Sequence, residues 1–211
     1  MGNVELLEVF GDDLTVVNAA RVSFDKESTT FCDKDGALIR YLANHEHVSP
    51  FFHPQARFRI RMPIFVAREW FRHTVGFARN EVSRRYVDSK PEIWTPDEFR
   101  ARDPKLKQGS KAESVEAPEV AVELYARAVT ASLIAYDGLL EANVAPELAR
   151  AVLPQAMYTE FIETGSLAAY ARLCRLRLDP SAQKEIREYA QTVSELLADR
   201  FPVAWAALTQ S

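Results

Sequence analysis

Residues 56–73 read ARFRIRMPIFVAREWFRH, and two periodicities meet inside them. From Ala56 to Met62, Phe58, Ile60 and Met62 alternate with Arg57, Arg59 and Arg61, the period of two expected of a strand with one buried face. Pro63 ends that run and suits the first turn of a helix. The spacing then predicts a helix over Pro63–His73, in which Glu69 stands three residues before Arg72 and four before His73, so that the three would share one face. A strand is handed directly to a helix, and the helix ends on charged groups.

Working outward, Asn3–Phe10 reads as a short strand, with Asp12 or Asp13 capping a helix through Val17, Ala20 and Val22. Ser23–Gly36 is polar and irregular. Leu38, Ile39, Leu42 and Ala43 recur at helical spacing, and the loop His45–His53 brings His45, His47 and His53 close together. On the other side, Thr74–Ala78 reads as a loop, Glu81–Val87 as an extended segment, and Arg100–Glu119 as a polar loop and candidate lid. From Val120 the pattern is helical to the end: a long helix to about Glu141, a second after Pro146, a third from Ser166 and a fourth from Ser181.

Chemistry concentrates in Arg72–Val87, RHTVGFARNEVSRRYV. Arg72, His73, Arg79, Arg84 and Arg85 surround Asn80, Glu81 and Ser83, with no lysine among them. Arginine differs from lysine in presenting a planar fork that grips phosphate or carboxylate bidentately. One reading is a set of surface ion pairs with Glu69, Glu81 and Asp88. The other joins it to a second group, Arg150, Arg172, Arg175 and Arg177, the two converging on a polyanionic ligand such as a nucleotide and a dinucleotide cofactor.

The 211 residues carry 26 basic and 30 acidic side chains, a net charge of -4. No overall field would draw such a chain to nucleic acid, so the arginine cluster is local and opposes the global sign. The two cysteines, Cys32 and Cys174, give neither a disulfide framework nor zinc spacing. The acidic start lacks the basic and apolar parts of a signal peptide, and a single soluble cytoplasmic domain over 1–211 is expected. The histidines lack a metal-binding register, which favours contact to a cofactor or a neighbouring chain. Ser83 with His73 lacks a nucleophile elbow, and neither cysteine has an evident activating base.

The arginine stretch resembles the signature of the flavin-dependent thymidylate synthases (ThyX), Arg-His-Arg, seven residues, then Ser. Segments of similar sequence recur in family order at Asn18–Phe24, His45–His53, Pro63–His73, Ala149–Pro154 and Leu176–Ile186. The resemblance implies an α/β (α+β) subunit, with a small sheet and a helical C-terminal half, in a homotetramer whose active sites are shared between subunits. It implies FAD as cofactor, with methylenetetrahydrofolate and NADPH as co-substrates and dUMP or UMP as the nucleotide methylated at C5. Arg72, His73, Thr74, Arg79 and Glu81 would contact the cofactor, joined by His47, Ser49, Ser166 and Arg172. Glu69, Arg72, Glu81, Ser83, Arg84, Arg85 and Arg150 would hold the nucleotide, and Arg177 would lie against the uracil and help ionise it.

The departures from the family pattern are as specific as the match. Thr74 replaces the third motif residue, and eight residues rather than seven separate it from Ser83. The longer loop carries Arg79, expected to supply the missing charge. Glu69 stands where Gln is usual, Ser166 and Ala168 where the family has Asn and Arg, and Arg172 where it has another Asn. Relatives in nucleoside-antibiotic pathways methylate UMP, so both sugars are open. The rival class is a nucleotide- or nucleic-acid-binding module without chemistry, whose affinity would fall steeply with salt; a flavoenzyme would be yellow.

Overall fold

The computed structural model describes residues 2–86, 90–104, 109–111 and 113–210. Its strands are β1 (Asn3–Phe10), β2 (Gln55–Pro63), β3 (Phe77–Glu81) and β4 (Tyr158–Ser166), in one sheet of order β1-β2-β4-β3. Phe58, Ile60 and Met62 of β2 are wholly buried. Their arginine neighbours face outward, Arg57 to Glu8 of β1 at 2.8 Å and Arg61 to Glu92 at 2.8 Å. Leu167 N donates to Pro54 O beyond one end of β2 and Ile64 N to Met157 O beyond the other, so β2 and β4 run antiparallel. Ser166 N to Gly76 O and Val82 N to Glu160 O fix β4 against β3 in the same sense.

The helices are α1 (Asp13–Arg21), α2 (Asp33–Asn44), α3 (Ile64–Trp70), α4 (Pro118–Glu141), α5 (Pro146–Ala149), α6 (Leu167–Arg177), α7 (Lys184–Arg200) and α8 (Pro202–Thr209). The chain divides into two compact units, one built from Arg61–Trp70 and Glu81–Phe161, the other from Asn3–Ile60, Phe71–Asn80 and Ile162–Ser211.

The second unit is organised around α6, which buries Leu167, Ala168, Ala169, Tyr170, Ala171, Leu173 and Cys174. A helix apolar on so much of its circumference belongs in an interior, and α7 and α8 pack on it. The start of α8 is tied to the opposite end of the chain: Asp13 accepts from Val203 N and Ala204 N, each at 2.9 Å. Its carboxylate thus occupies the capping position of a helix that begins without a capping side chain of its own. In the first unit α3 buries Val66, Ala67 and Trp70, whereas the long α4 buries only Tyr136 among its described residues.

Several expectations are corrected. The helix after β2 stops at Trp70 rather than His73, so Glu69, Arg72 and His73 share no helical face. Hydrogen bonds made by His73, Val75 and Gly76 draw the chain out of helical geometry, a tertiary override of local pattern. The extended segment expected from Glu81 instead ends there, as β3 over Phe77–Glu81; Val87 and Asp88 lie outside the described residues. The C-terminal half is not continuously helical, because β4 interrupts it. The helix expected from Ser181 starts at Lys184, and a separate helix follows from Pro202, since proline cannot continue the preceding hydrogen-bond ladder. Within Arg100–Glu119, residues 105–108 and 112 lie outside the described set; Arg100 and Ser114 form an antiparallel bridge. No helix among the described residues is long and apolar enough to cross a membrane.

Asp13→Ala should lower stability by about 1–2 kcal/mol, the cost of an unsatisfied helix start. Urea unfolding checks this, and an unchanged midpoint would show that the cap contributes nothing.

Candidate functional site

Within the second unit, the segment that follows α3 lies along β4 and α6 in a descending register. Arg177 Nε donates to His73 Nε2 at 2.9 Å. Arg172 Nη2 donates to Val75 O at 2.7 Å, and Ser166 N to Gly76 O at 3.1 Å. Phe77 packs on Tyr170 at 4.9 Å between ring centroids, and Arg79 pairs with Glu163. Apart from Phe77, whose ring reaches back to Tyr170, these residues from 73 to 79 meet partners successively earlier in 163–177.

Two glycines make the approach close enough. Gly76 adopts φ +82, and a Cβ there would come within 2.9 Å of Ala169 Cβ. At Gly165 a Cβ would stand 2.5 Å from Phe77. Neither position tolerates a side chain without moving the segment.

His73 is half-buried, and its pKa is lowered to about 4 by desolvation first and then by the charges of Arg177, Arg79, Arg172 and Arg72. The ring is therefore neutral at physiological pH. An arginine can only donate, so the bond from Arg177 assigns Nε2 as acceptor and leaves the proton on Nδ1. His73 thus orients Arg177 while leaving its positive charge in place. Arg72, Thr74 and Arg172 are exposed beside it in sequence or register, with the Arg172 guanidinium 5.7 Å from the Phe52 ring.

The other flavin-side expectations are placed differently. His47 and Ser49 are exposed on the chain after α2. Tyr41 and His45 stack with centroids 4.1 Å apart, and His47 meets the Tyr41 ring edge-on at 6.2 Å. Ser166 is only 4 % exposed, and its hydroxyl caps α6 by accepting from Ala169 N at 3.2 Å. Arg79 is turned inward, its guanidinium 4.7 Å from the Phe77 ring and 5.4 Å from Phe71.

The first unit gathers the nucleotide-side expectations. Glu81 accepts from the Thr159 hydroxyl at 2.6 Å. Ser83, Arg84 and Arg85 form a turn, with Arg85 N donating to Ser83 Oγ at 3.3 Å. Arg85 reaches the Glu147 carboxylate at 3.5 Å, and Arg150 Nε donates to Glu147 O at 3.3 Å. The two arginine groups therefore converge in two places: Arg85 with Arg150 at Glu147, and His73 with Arg172 and Arg177 along α6. Glu69 is half-buried near the end of α3.

Sequence reasoning missed Glu163. It sits at an inward position of β4 with no exposed surface, and the available signal was an acidic residue on the buried phase of the alternation Thr159, Phe161, Glu163, Gly165.

A family model described as thymidylate synthase complementing protein matches residues 5–203. The flavin-dependent thymidylate synthase of Thermus thermophilus is 42% identical over 209 residues, covering 99% of this chain and 76% of that protein. The enzyme of the same description from Thermosipho melanesiensis is 40% identical over 202 residues, covering 95% and 87%. Among solved structures, the UMP/dUMP methylase PolB from Streptomyces cacaoi bound with 5-Br dUMP superposes with a TM-score of 0.89 at 31% identity, covering 100% of this chain and 95% of that one. Its 5-Br UMP complex gives 0.87 at 30%.

The lowered pKa of His73 has a signed consequence. Above pH 6.5 the imidazole is neutral in folded and unfolded chains alike; from there to about 4 only the unfolded chain takes up the proton, so acid destabilises the fold across that window. Stability should fall more steeply between pH 6.5 and 4 in the native protein than in His73→Gln. Urea titrations at several pH values check this, and parallel curves would contradict it.

Proposed function

The chain belongs to the thymidylate synthase complementing protein family, the flavin-dependent thymidylate synthases, and from that premise we propose that it methylates C5 of the uracil in dUMP, with UMP as a second substrate and methylenetetrahydrofolate as carbon donor. The observation that carries the reading is the bond from Arg177 to a neutral His73. C5 attacks the electrophilic methylene most readily when the uracil is ionised, and a guanidinium fixed before the reaction stabilises that negative charge without reorganising. A carboxylate partner in place of His73 would cancel much of that field.

The donor set fits FAD. Arg72 and Arg172, the Nδ1–H of His73 and the Thr74 hydroxyl offer hydrogen-bond donors to a group rich in phosphate and ring carbonyl oxygens, with His47 and Ser49 as further polar contacts. When bound, FAD supplies the hydride that completes the methyl group, with NADPH as electron source. Cys174 takes no part as a nucleophile: burial pushes its thiol well above its ordinary pKa.

Glu69, Glu81, Ser83, Arg84, Arg85 and Arg150 are proposed to hold the nucleotide, with the phosphate taken by Arg85 and Arg150. The Arg85–Glu147 pair is about half exposed on both sides, and such a bridge contributes little, about 0–1 kcal/mol. A phosphate dianion would displace it readily. The second sugar is supported by the PolB structures described with 5-Br dUMP and 5-Br UMP, and by the chemistry of Glu69, since a carboxylate can accept hydrogen bonds from ribose hydroxyls. A single family model running through 5–203 supports the two compact units acting as one catalytic domain.

A homotetramer with shared active sites is part of the proposal, so the cofactor and nucleotide groups need not come from one chain. Val120, Leu124 and Ile134 leave an apolar face of α4 exposed, which a second copy would cover. A cytoplasmic location follows from the nucleotide substrate. A binding module without chemistry is not favoured by the family membership.

Purified protein incubated with methylenetetrahydrofolate, NADPH and either dUMP or UMP should be yellow and form both methylated nucleotides; no product from either would overturn the reading. Arg177→Ala should lower kcat on the order of 100- to 1000-fold with an unchanged circular dichroism spectrum. Full turnover at saturating nucleotide would remove Arg177 from the mechanism.

A further inference from the structure

Glu163 is the one charged residue among the described residues of β4 and α6 with no exposed surface. An ionised carboxylate in an apolar interior is strongly unfavourable unless paired, and here the partner is Arg79 Nε. The surroundings are otherwise aromatic: Phe71 and Phe77 flank the guanidinium, while Tyr170 packs on Phe77 and Phe58 at 4.9 and 5.2 Å and directs its hydroxyl to Glu163 O at 3.5 Å. Arg79 Nη2 is buried with no hydrogen-bond acceptor. An unmatched buried donor is destabilising, so the pair is a poor device for stability alone.

We propose that Glu163, acting through Arg79, is a positioning residue that locks the register of segment 73–79 and thereby holds His73 where it accepts from Arg177. The rungs of that register differ in how far they resist slippage. The backbone bond to Val75 can be remade one residue along, because a neighbouring carbonyl presents the same chemistry, whereas a shift at Gly76 would press a Cβ onto Ala169. The charge pair cannot be remade either, since a shift of one residue brings Ala78 or Asn80 to Glu163 in place of the guanidinium. Buried polar groups that specify register at a cost in stability are a known physical device.

The extra loop position that carries Arg79 then has a role distinct from direct contact with the flavin. It feeds a charge inward to Glu163, and its effect on ligands is transmitted through His73 and Arg177. This inference rests on the proposed methylation for its kinetic readout, and it has a second readout that does not.

The test compares Glu163→Gln with the double variant Arg79→Met/Glu163→Met, which removes both charges and restores an apolar interior. The chain has only four histidines, so the ring nitrogens of His73 can be followed by 15N NMR against a His73→Gln reference in protein without ligand. In both variants the Nδ1–H tautomer should give way to a tautomer mixture, and kcat for dUMP should fall on the order of 10- to 100-fold at a KM within about twofold. The double variant should regain stability to urea without regaining kcat. Should Glu163→Gln fail to fold, the double variant carries both readouts. Native His73 resonances and native kcat in the double variant would overturn the proposal, as would a kcat that recovers in step with stability. If the native protein methylates neither nucleotide, the NMR comparison still decides the register claim, so the two failures are distinguishable.

Discussion

A carboxylate without solvent contact must find a cation, and in this fold that requirement fixes where a functional segment lies. Glu163 enters the interior on β4 because its position falls on the buried phase of the strand. Arg79 meets it from the neighbouring β3. The rest of segment 73–79 follows along α6: Gly76 pressed against Ala169, Val75 held by Arg172, His73 held by Arg177. Packing and electrostatics agree at every step of that register, the consistency expected of a sequence that specifies one arrangement.

The electrostatic outcome is a neutral histidine among four arginines. Desolvation and the surrounding positive charge both oppose protonation of His73, so it serves as an acceptor that steers Arg177 and as a donor through Nδ1. The bond to His73 thereby directs the Arg177 guanidinium without itself neutralising it. In the other compact unit the corresponding charges, Arg85 and Arg150, meet Glu147 at an exposed and weakly bound position, suited to exchange with an incoming anion. One group is held firmly and the other lightly, a division that suits the proposed methylation and phosphate binding.

Much of this was legible in the sequence. The alternation of Phe58, Ile60 and Met62 with arginines gives β2 within a residue at each end, and Asp12 marks the start of α1 through a capping box. The family resemblance, carried by segments spread along the chain, anticipated the fold class and the enzyme class that the comparisons support. β4 was hidden because Glu163 and Gly165 occupy inward positions where an apolar strand pattern would have Val or Ile; both are there for contacts with residues over eighty positions away. The overlong helix at Phe71–His73 failed for a related reason, since helical periodicity continues into residues whose backbone is claimed by α6. Local pattern is informative until a distant partner competes for the same groups.

The most direct measurement is a crystal structure of the FAD-loaded protein with 5-bromo-dUMP. The account predicts that Arg177 still donates to His73, with Arg79 paired to Glu163 beneath it. A structure in which Arg177 leaves His73 while the register from residue 73 to 79 is otherwise kept would contradict it.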